Sequence, residues 1–148
     1  MAIETIVKIA QIFAYFVAGI SFIVAFFTYR TNNKIKRGEW LKSLFEKFYE
    51  AKIFSKVRAE IEYGRIETYL NIFADGTVLN EEHEEQLVDY LNFFEFVATL
   101  QKNGHLKFTE VNQLFGYYLK AIKCNNFLKE YLTKYDFEIL IALLNKYE

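Results

Sequence analysis

The stretch IAQIFAYFVAGISFIVAFFTY, residues 9–29, contains no charged side chain over twenty-one positions. At about 1.5 Å rise per residue, a helix of this length crosses the roughly 30 Å hydrocarbon core of a bilayer. The principal alternative is a cleaved signal peptide, which predicts a basic start and an apolar run of only about 7–15 residues. Because this run is longer and ends in bulky aromatic residues, we interpret residues 1–30 as a retained transmembrane anchor.

Charged residues on the two sides of this segment predict its orientation. Only Glu4 and Lys8 precede the segment, whereas a basic group follows it directly. The positive-inside rule therefore predicts a single-pass protein of the inner membrane, with an outside N-terminus and a cytoplasmic C-terminal domain. The same cations are expected to attract anionic lipid headgroups, at about 1 kcal/mol each. The juxtamembrane basic residues are Arg30, Lys34, Lys36 and Arg37.

Charge is segregated along the rest of the chain. Residues 30–58 carry nine Lys and Arg against three Glu, whereas residues 59–110 carry three against eleven Asp and Glu. A basic block beside a membrane is explained most simply by topology and lipid attraction. Because the block also lacks a recognised RNA-binding motif, nucleic-acid binding is disfavoured.

The composition favours a folded, non-enzymatic domain. The chain is 53% hydrophobic and 19% aromatic and contains no proline, so a substantial core is available. One cysteine excludes an intrachain disulfide and a cysteine-rich zinc site. No nucleophile–base set or nucleotide-binding motif is present, so we predict no catalytic residue, no metal and no cofactor. The two histidines, His83 and His105, are expected to be solvated.

Helical periodicity dominates the residues after the anchor, which predicts an all-α fold. We assign residues 31–38 to a basic stalk, either a short hinge or a continuation of the helix, and residues 39–148 to a cytoplasmic multi-helix bundle. Expected N-terminal caps are Ser55, Asn80, Thr109 and Asp136. Expected breaks are Gly64, Asp75-Gly76 and Asn103-Gly104.

Small and polar residues recur along the anchor at alternating spacings of three and four. Small residues let two helix backbones approach closely, and Gln, Ser and Thr can hydrogen-bond between helices in lipid. The stripe therefore predicts a seam between copies of this chain, unless it reflects only the frequency of Ala and Ser in membrane helices. Its centre is too apolar to favour a pore lining. The seam residues are Gln11, Ala14, Ala18, Ser21, Ala25 and Thr28.

The block YLNFFEFVA, residues 90–98, predicts the central helix of the bundle, because apolar residues surround its circumference. Asn92 and Glu95 would then share one buried face. A buried carboxylate needs a partner, and Arg58 and Arg65 are the best candidates since arginine suits buried pairing. A structural salt bridge is the favoured interpretation, and a polar pocket or switch is the alternative.

The order of an N-terminal span, a basic stalk, YLNFFEFVA, and then LFGYYLKAIK resembles a group of small, poorly characterised bacterial membrane-anchored helical proteins. Its architecture is also similar to that of the membrane accessory proteins of RNA-targeting CRISPR systems. These likenesses imply a homo-oligomeric membrane effector, a pore or membrane-perturbing protein, in defence against phage. The alternative is a non-enzymatic adaptor that recruits a cytoplasmic protein to the membrane. The expected partners are other copies of the chain, lipids and such a protein.

Overall fold

The first helix, α1, runs without interruption from Ala2 to Glu50. The computed structural model describes residues 2–71 and 80–147, with side chains described for Lys8 and from Phe13 onward within these ranges. Every residue from 13 to 36 is exposed, and the helix is long and apolar enough to span a membrane. The stalk, residues 31–38, is helical, so the helix continues there and no hinge forms.

The chain divides into two units, residues 1–46 and residues 47–148. The second unit contains the last turn of α1 followed by six further helices in the described part of the chain. The prediction of an all-α fold is therefore confirmed for the described residues. The helices are α2 (Lys52–Glu62), α3 (Ile66–Leu70), α4 (Glu81–Lys102), α5 (Phe108–Cys124), α6 (Asn126–Lys134) and α7 (Glu138–Leu144).

Helix α4 is the centre of the second unit, as its sequence predicts. It packs against α2, α3, α5 and α7, and Phe94 at its middle is completely buried. The prediction is wrong in one respect, because apolar contacts do not surround the helix. Asn92 and Phe96 lie on an exposed face together with Glu85 and Asp89.

An aromatic cluster surrounds Phe48, a residue of the last turn of α1 that has no exposed surface. Seven other rings lie with their centroids 5.0–6.0 Å from that of Phe48. Most of these pairs are edge-to-face or tilted, the geometries that aromatic quadrupoles favour. The other rings belong to Tyr49, Phe54, Tyr90, Phe93, Phe94, Phe115 and Tyr118.

The N-terminal caps agree only in part with the sequence. Asn80 caps α4 as predicted, since its Oδ1 accepts the backbone N–H of His83 at 3.2 Å. Ser55 does not cap α2, which begins three residues earlier, and its hydroxyl donates to the carbonyl of Lys52 at 2.9 Å. Burial of Phe54 and Val57 extends this helix towards its N-terminus, although Ala51 at the N-cap offers no side-chain acceptor.

The two later caps are also corrected. Helix α5 begins before Thr109, and the side chain of Glu110 reaches back to accept the N–H of Lys107 at 2.8 Å. Asp136 does not cap α7, because it occupies a left-handed turn with φ 58° and Phe137 is the N-cap. In α5 a neighbouring residue thus replaces the expected cap, whereas the N-cap residue of α7 makes no side-chain hydrogen bond to the helix.

Two predicted breaks are confirmed by left-handed glycines. Gly64 (φ 66°) follows α2, and Gly104 (φ 76°) follows α4. Glycine adopts this conformation without the steric cost of a Cβ atom. Helix α3 is shorter than predicted, because Asn71 (φ 52°) ends it. The predicted break at Asp75-Gly76 lies outside the described residues.

Candidate functional site

The seam residues lie on the exposed surface of α1. Ala14, Ala18, Ser21, Ala25 and Thr28 are all exposed, and the side chain of Gln11 lies outside the described part. The Ser21 hydroxyl donates to the carbonyl of Val17 at 2.9 Å. Its proton is therefore used inside the helix, whereas the hydroxyl oxygen can still accept a hydrogen bond.

The basic residues occupy the helical stalk and its N-terminal border. The Arg30 guanidinium lies over the ring of Phe26, 5.7 Å from its centroid. Lys34 and Lys36 are exposed, and Arg37 is half-buried. Three of the four cations are thus accessible to anions in the surrounding medium.

Glu95 is half-buried, but its partner is neither of the arginines that the sequence suggests. Its two carboxylate oxygens accept the backbone N–H groups of Ile139 at 3.3 Å and Leu140 at 2.7 Å. Glu95 therefore caps α7 from the side chain of another helix. The predicted burial of Asn92 on the same face is also wrong, since Asn92 is exposed. Glu95 thus has a structural role, but through backbone N–H groups and not through the predicted salt bridge.

Replacing Glu95 by alanine should lower the free energy of unfolding by about 2–3 kcal/mol, because two buried backbone donors lose a charged acceptor. Glu95→Gln keeps one acceptor oxygen and should cost about 1 kcal/mol. Urea unfolding of the full chain in detergent, followed by circular dichroism, measures both. Asn92→Ala is the matched control on the exposed face, and a loss equal to that of Glu95→Ala would contradict the capping role.

Arg58 contacts the C-terminal end of α1. Its guanidinium carbon lies 4.7 Å from the ring centroid of Phe48, 4.8 Å from that of Tyr49 and 5.7 Å from that of Tyr118. Its Nη1 donates to the Phe48 carbonyl at 3.3 Å. A cation on one of the last carbonyls of a helix complements the helix dipole.

Arg65 forms a compact site with two residues of the α2 end. Its Nε and Nη2 donate to the two carboxylate oxygens of Glu60 at 3.0 and 3.1 Å. The guanidinium also lies 4.9 Å from the ring centroid of Tyr63. Arg65 is exposed, so the predicted burial is wrong and the pair is a surface ion pair.

His83 is half-buried, whereas full exposure to solvent was expected. Its ring stacks on Tyr69 with centroids 3.9 Å apart and planes 7° apart. Nδ1 lies 2.6 Å from the Tyr69 carbonyl oxygen and 2.9 Å from Nδ2 of Asn80. Packing of the α4 N-terminus on α3 causes this burial. His105 is exposed, as expected.

A groove of about 520 Å³ lies between the ends of α2 and α5, and sequence reasoning missed it. Tyr117, an exposed residue of α5, lines this groove, and its hydroxyl donates to Oε1 of Glu62 at 2.6 Å. This hydrogen bond raises the pKa of Tyr117. The lining residues are Ile61, Glu62, Gly64, Tyr117, Lys120, Ala121, Cys124 and Asn125.

One sequence signal could have indicated this surface. Tyr117 and Tyr118 are adjacent on a helix, so they point about 100° apart and only one can face the core. Tyr118 packs on Phe48, and Tyr117 consequently faces outward. Tyrosine is enriched at protein interfaces, which makes the groove a candidate site for a protein partner.

The described part of the chain gives no evidence of a metal-binding site. There, no group of three or more His, Cys, Asp or Glu side chains is arranged to hold a metal ion. The chemical groups of the groove are one carboxylate, one amine, one thiol, one carboxamide and one tyrosine ring.

A family described as a domain of unknown function, DUF4760, matches residues 15–145 of this chain. The match covers most of both units, so the chain belongs to this family. No curated protein and no solved structure matches.

Proposed function

We propose that this DUF4760 protein is a homo-oligomeric, membrane-anchored helical effector that acts without catalysis. The observation that carries the proposal is the surface of α1. All residues from 13 to 36 are exposed, including several phenylalanine rings. Removing apolar surface from water gains about 25 cal/mol per Å². Lipid and a second copy of α1 are the two environments that would cover this surface.

The proposed orientation places residues 47–148 in the cytoplasm of a bacterial cell and the N-terminus outside the inner membrane. It rests on Arg30, Lys34, Lys36 and Arg37, which follow the apolar segment. A reporter that is active only in the cytoplasm should be active when fused after Glu148. Activity of a periplasm-dependent reporter at the same position would reverse the orientation.

Self-association is proposed to use the stripe of small residues on α1. Ala18→Leu should break the oligomer while leaving membrane insertion and domain folding intact, because a larger side chain keeps the helix backbones apart. Mass determination in nanodiscs, with circular dichroism for the fold, measures the effect. Val17→Leu, on another face of α1, is the matched control and should assemble like the parent. If the Ala18→Leu protein assembles like the parent, the small-residue stripe is not the contact surface between copies.

The proposed action is permeabilisation or perturbation of the membrane by the assembled helices, in defence against phage. The defence role rests on the architectural likeness to accessory proteins of RNA-targeting CRISPR systems. If the assembly acts on the membrane, Ala18→Leu should also abolish the dye leakage that the parent causes in vesicles. If Ala18→Leu is monomeric and vesicles treated with it leak at the parental rate, this mechanism is wrong.

An adaptor that recruits a cytoplasmic protein is the second candidate function. The groove between α2 and α5 favours it, because two exposed tyrosines, Tyr63 and Tyr117, lie on or beside this surface. Exposed aromatic residues beside a surface groove are typical of partner-binding surfaces. This candidate needs no oligomer, so a monomer in nanodiscs would favour it over the effector.

A further inference from the structure

The end of α2 already contains a site that binds an arginine. Glu60 accepts both donors of the Arg65 guanidinium, and the ring of Tyr63 lies against its face. Guanidinium groups favour two contacts. A carboxylate accepts hydrogen bonds along the edge of the guanidinium plane, and an aromatic ring stacks on its face.

The groove contains the same two residue types without an arginine. Glu62 and Tyr117 both line it, and their side-chain oxygens lie 2.6 Å apart. The tyrosine hydroxyl donates to Oε1, which leaves Oε2 as an acceptor. Within the described residues, no Lys, Arg or His nitrogen lies within 4.0 Å of the Glu62 carboxylate. Lys120, which also lines the groove, is therefore not its ion-pair partner.

The backbone around the groove adds to its preference for a cation. Glu62 is the last residue of α2, and Cys124 is the last residue of α5. Both helices thus direct their C-terminal ends to the groove, and helix C-termini carry partial negative charge. The groove has a volume of about 520 Å³ and is open to solvent, so a side chain of another protein can enter it from outside.

We propose that the groove binds an arginine side chain presented by a partner protein. The guanidinium stacks on Tyr117 and donates to Oε2 of Glu62, as Arg65 does with Tyr63 and Glu60. This inference names the partner chemistry of the adaptor candidate and rests on that proposed function.

A second copy of this chain is a poorer source of the arginine. The sequence has only four arginines. Arg58 is held by Phe48 and its neighbours, and Arg65 by Glu60. Arg30 and Arg37 belong to the basic stalk region, where the proposed membrane lies. The arginine is consequently assigned to a different, cytoplasmic protein.

Cys124 provides a direct test, because it is the sole cysteine, is exposed and lines the groove. The full chain in detergent is alkylated with N-ethylmaleimide in the presence of acetyl-Gly-Arg-Gly-amide at millimolar concentrations. Occupancy of four fifths of the grooves should slow alkylation about fivefold, because only an open groove exposes the thiol. The same peptide with citrulline, which is neutral and nearly isosteric, should leave the rate unchanged.

Two variants assign the effect to the proposed contacts. Glu62→Gln removes the charge at constant size, and Tyr117→Leu removes the ring; each should abolish protection by the arginine peptide. Equal protection by the citrulline peptide, or protection that survives in Glu62→Gln, would overturn the proposal, as would an unchanged alkylation rate in the parent. The alkylation assay measures binding to the groove in solubilised protein. A negative result would therefore count against the groove proposal alone, because membrane assembly is tested separately by Ala18→Leu.

Discussion

Replacing Phe48 by alanine should lower the free energy of unfolding by about 3–5 kcal/mol, the usual cost of deleting a buried phenylalanine ring. Phe48 is completely buried, and the guanidinium of Arg58 covers its ring. The deletion leaves a cavity that the surrounding rings cannot fill without leaving their own contacts. Urea unfolding of the full chain in detergent, with near- and far-ultraviolet circular dichroism, measures the loss.

Phe96→Ala is the matched control for this experiment. It deletes the same ring from a residue of α4 that is 50% exposed, so it should cost less than about 1 kcal/mol. Phe94→Ala, at a completely buried position, should again cost about 3–5 kcal/mol. Equal losses for Phe48 and Phe96 would mean that the aromatic cluster is not the core of this unit.

Alkaline pH should unfold the second unit cooperatively. Burial raises the pKa of Tyr147 to about 12. Burial, followed by the Glu84 carboxylate, raises the pKa of Tyr131, and burial raises the pKa of Tyr90 against the opposing charge of Arg58. An unfolded tyrosine loses its proton near pH 10. Above that pH the folded chain retains protons that the unfolded chain releases, so stability falls as pH rises.

The expected slope is about 1.4 kcal/mol per pH unit for each retained proton, beginning near pH 10. For Tyr147 the slope ends near pH 12, where the folded protein also ionises. Urea titrations at closely spaced pH values measure it. Tyr90→Phe should make the slope shallower by about 1.4 kcal/mol per pH unit, because it removes one retained proton. A slope that is unchanged in Tyr90→Phe would contradict this account.

Helices were predictable where the pattern is local and strong. The apolar positions of α4 and α5 recur at helical spacing, and Gly64 and Gly104 break the chain where a left-handed residue is needed. The Asn80 cap was also predictable, since its acceptor and donor are three residues apart. The predicted caps at Ser55 and Asp136 were wrong. Residues of a capping type are common in the sequence, and the packing of nearby apolar residues decides where a helix begins.

Polar pairing was predicted less well than helix formation. Sequence reasoning recognised that Glu95 needs a partner, but the partner is the α7 backbone, 44 and 45 residues away. Both backbone donors and arginines can satisfy a carboxylate, and the residue types alone do not distinguish them. Arg58 likewise had several chemically adequate partners, and the rings of Phe48 and Tyr49 are the ones that packing places beside it.

The sequence by itself determined the long apolar helix, the helical class of the rest and the separation of basic from acidic segments, because each depends on neighbours within one or two helical turns. Only the tertiary structure decided the groove. Glu62 and Tyr117 are 55 residues apart, and they meet because α2 and α5 both pack against the aromatic cluster and end at the same place. Such a meeting depends on the relative placement of two helices, which no local pattern encodes.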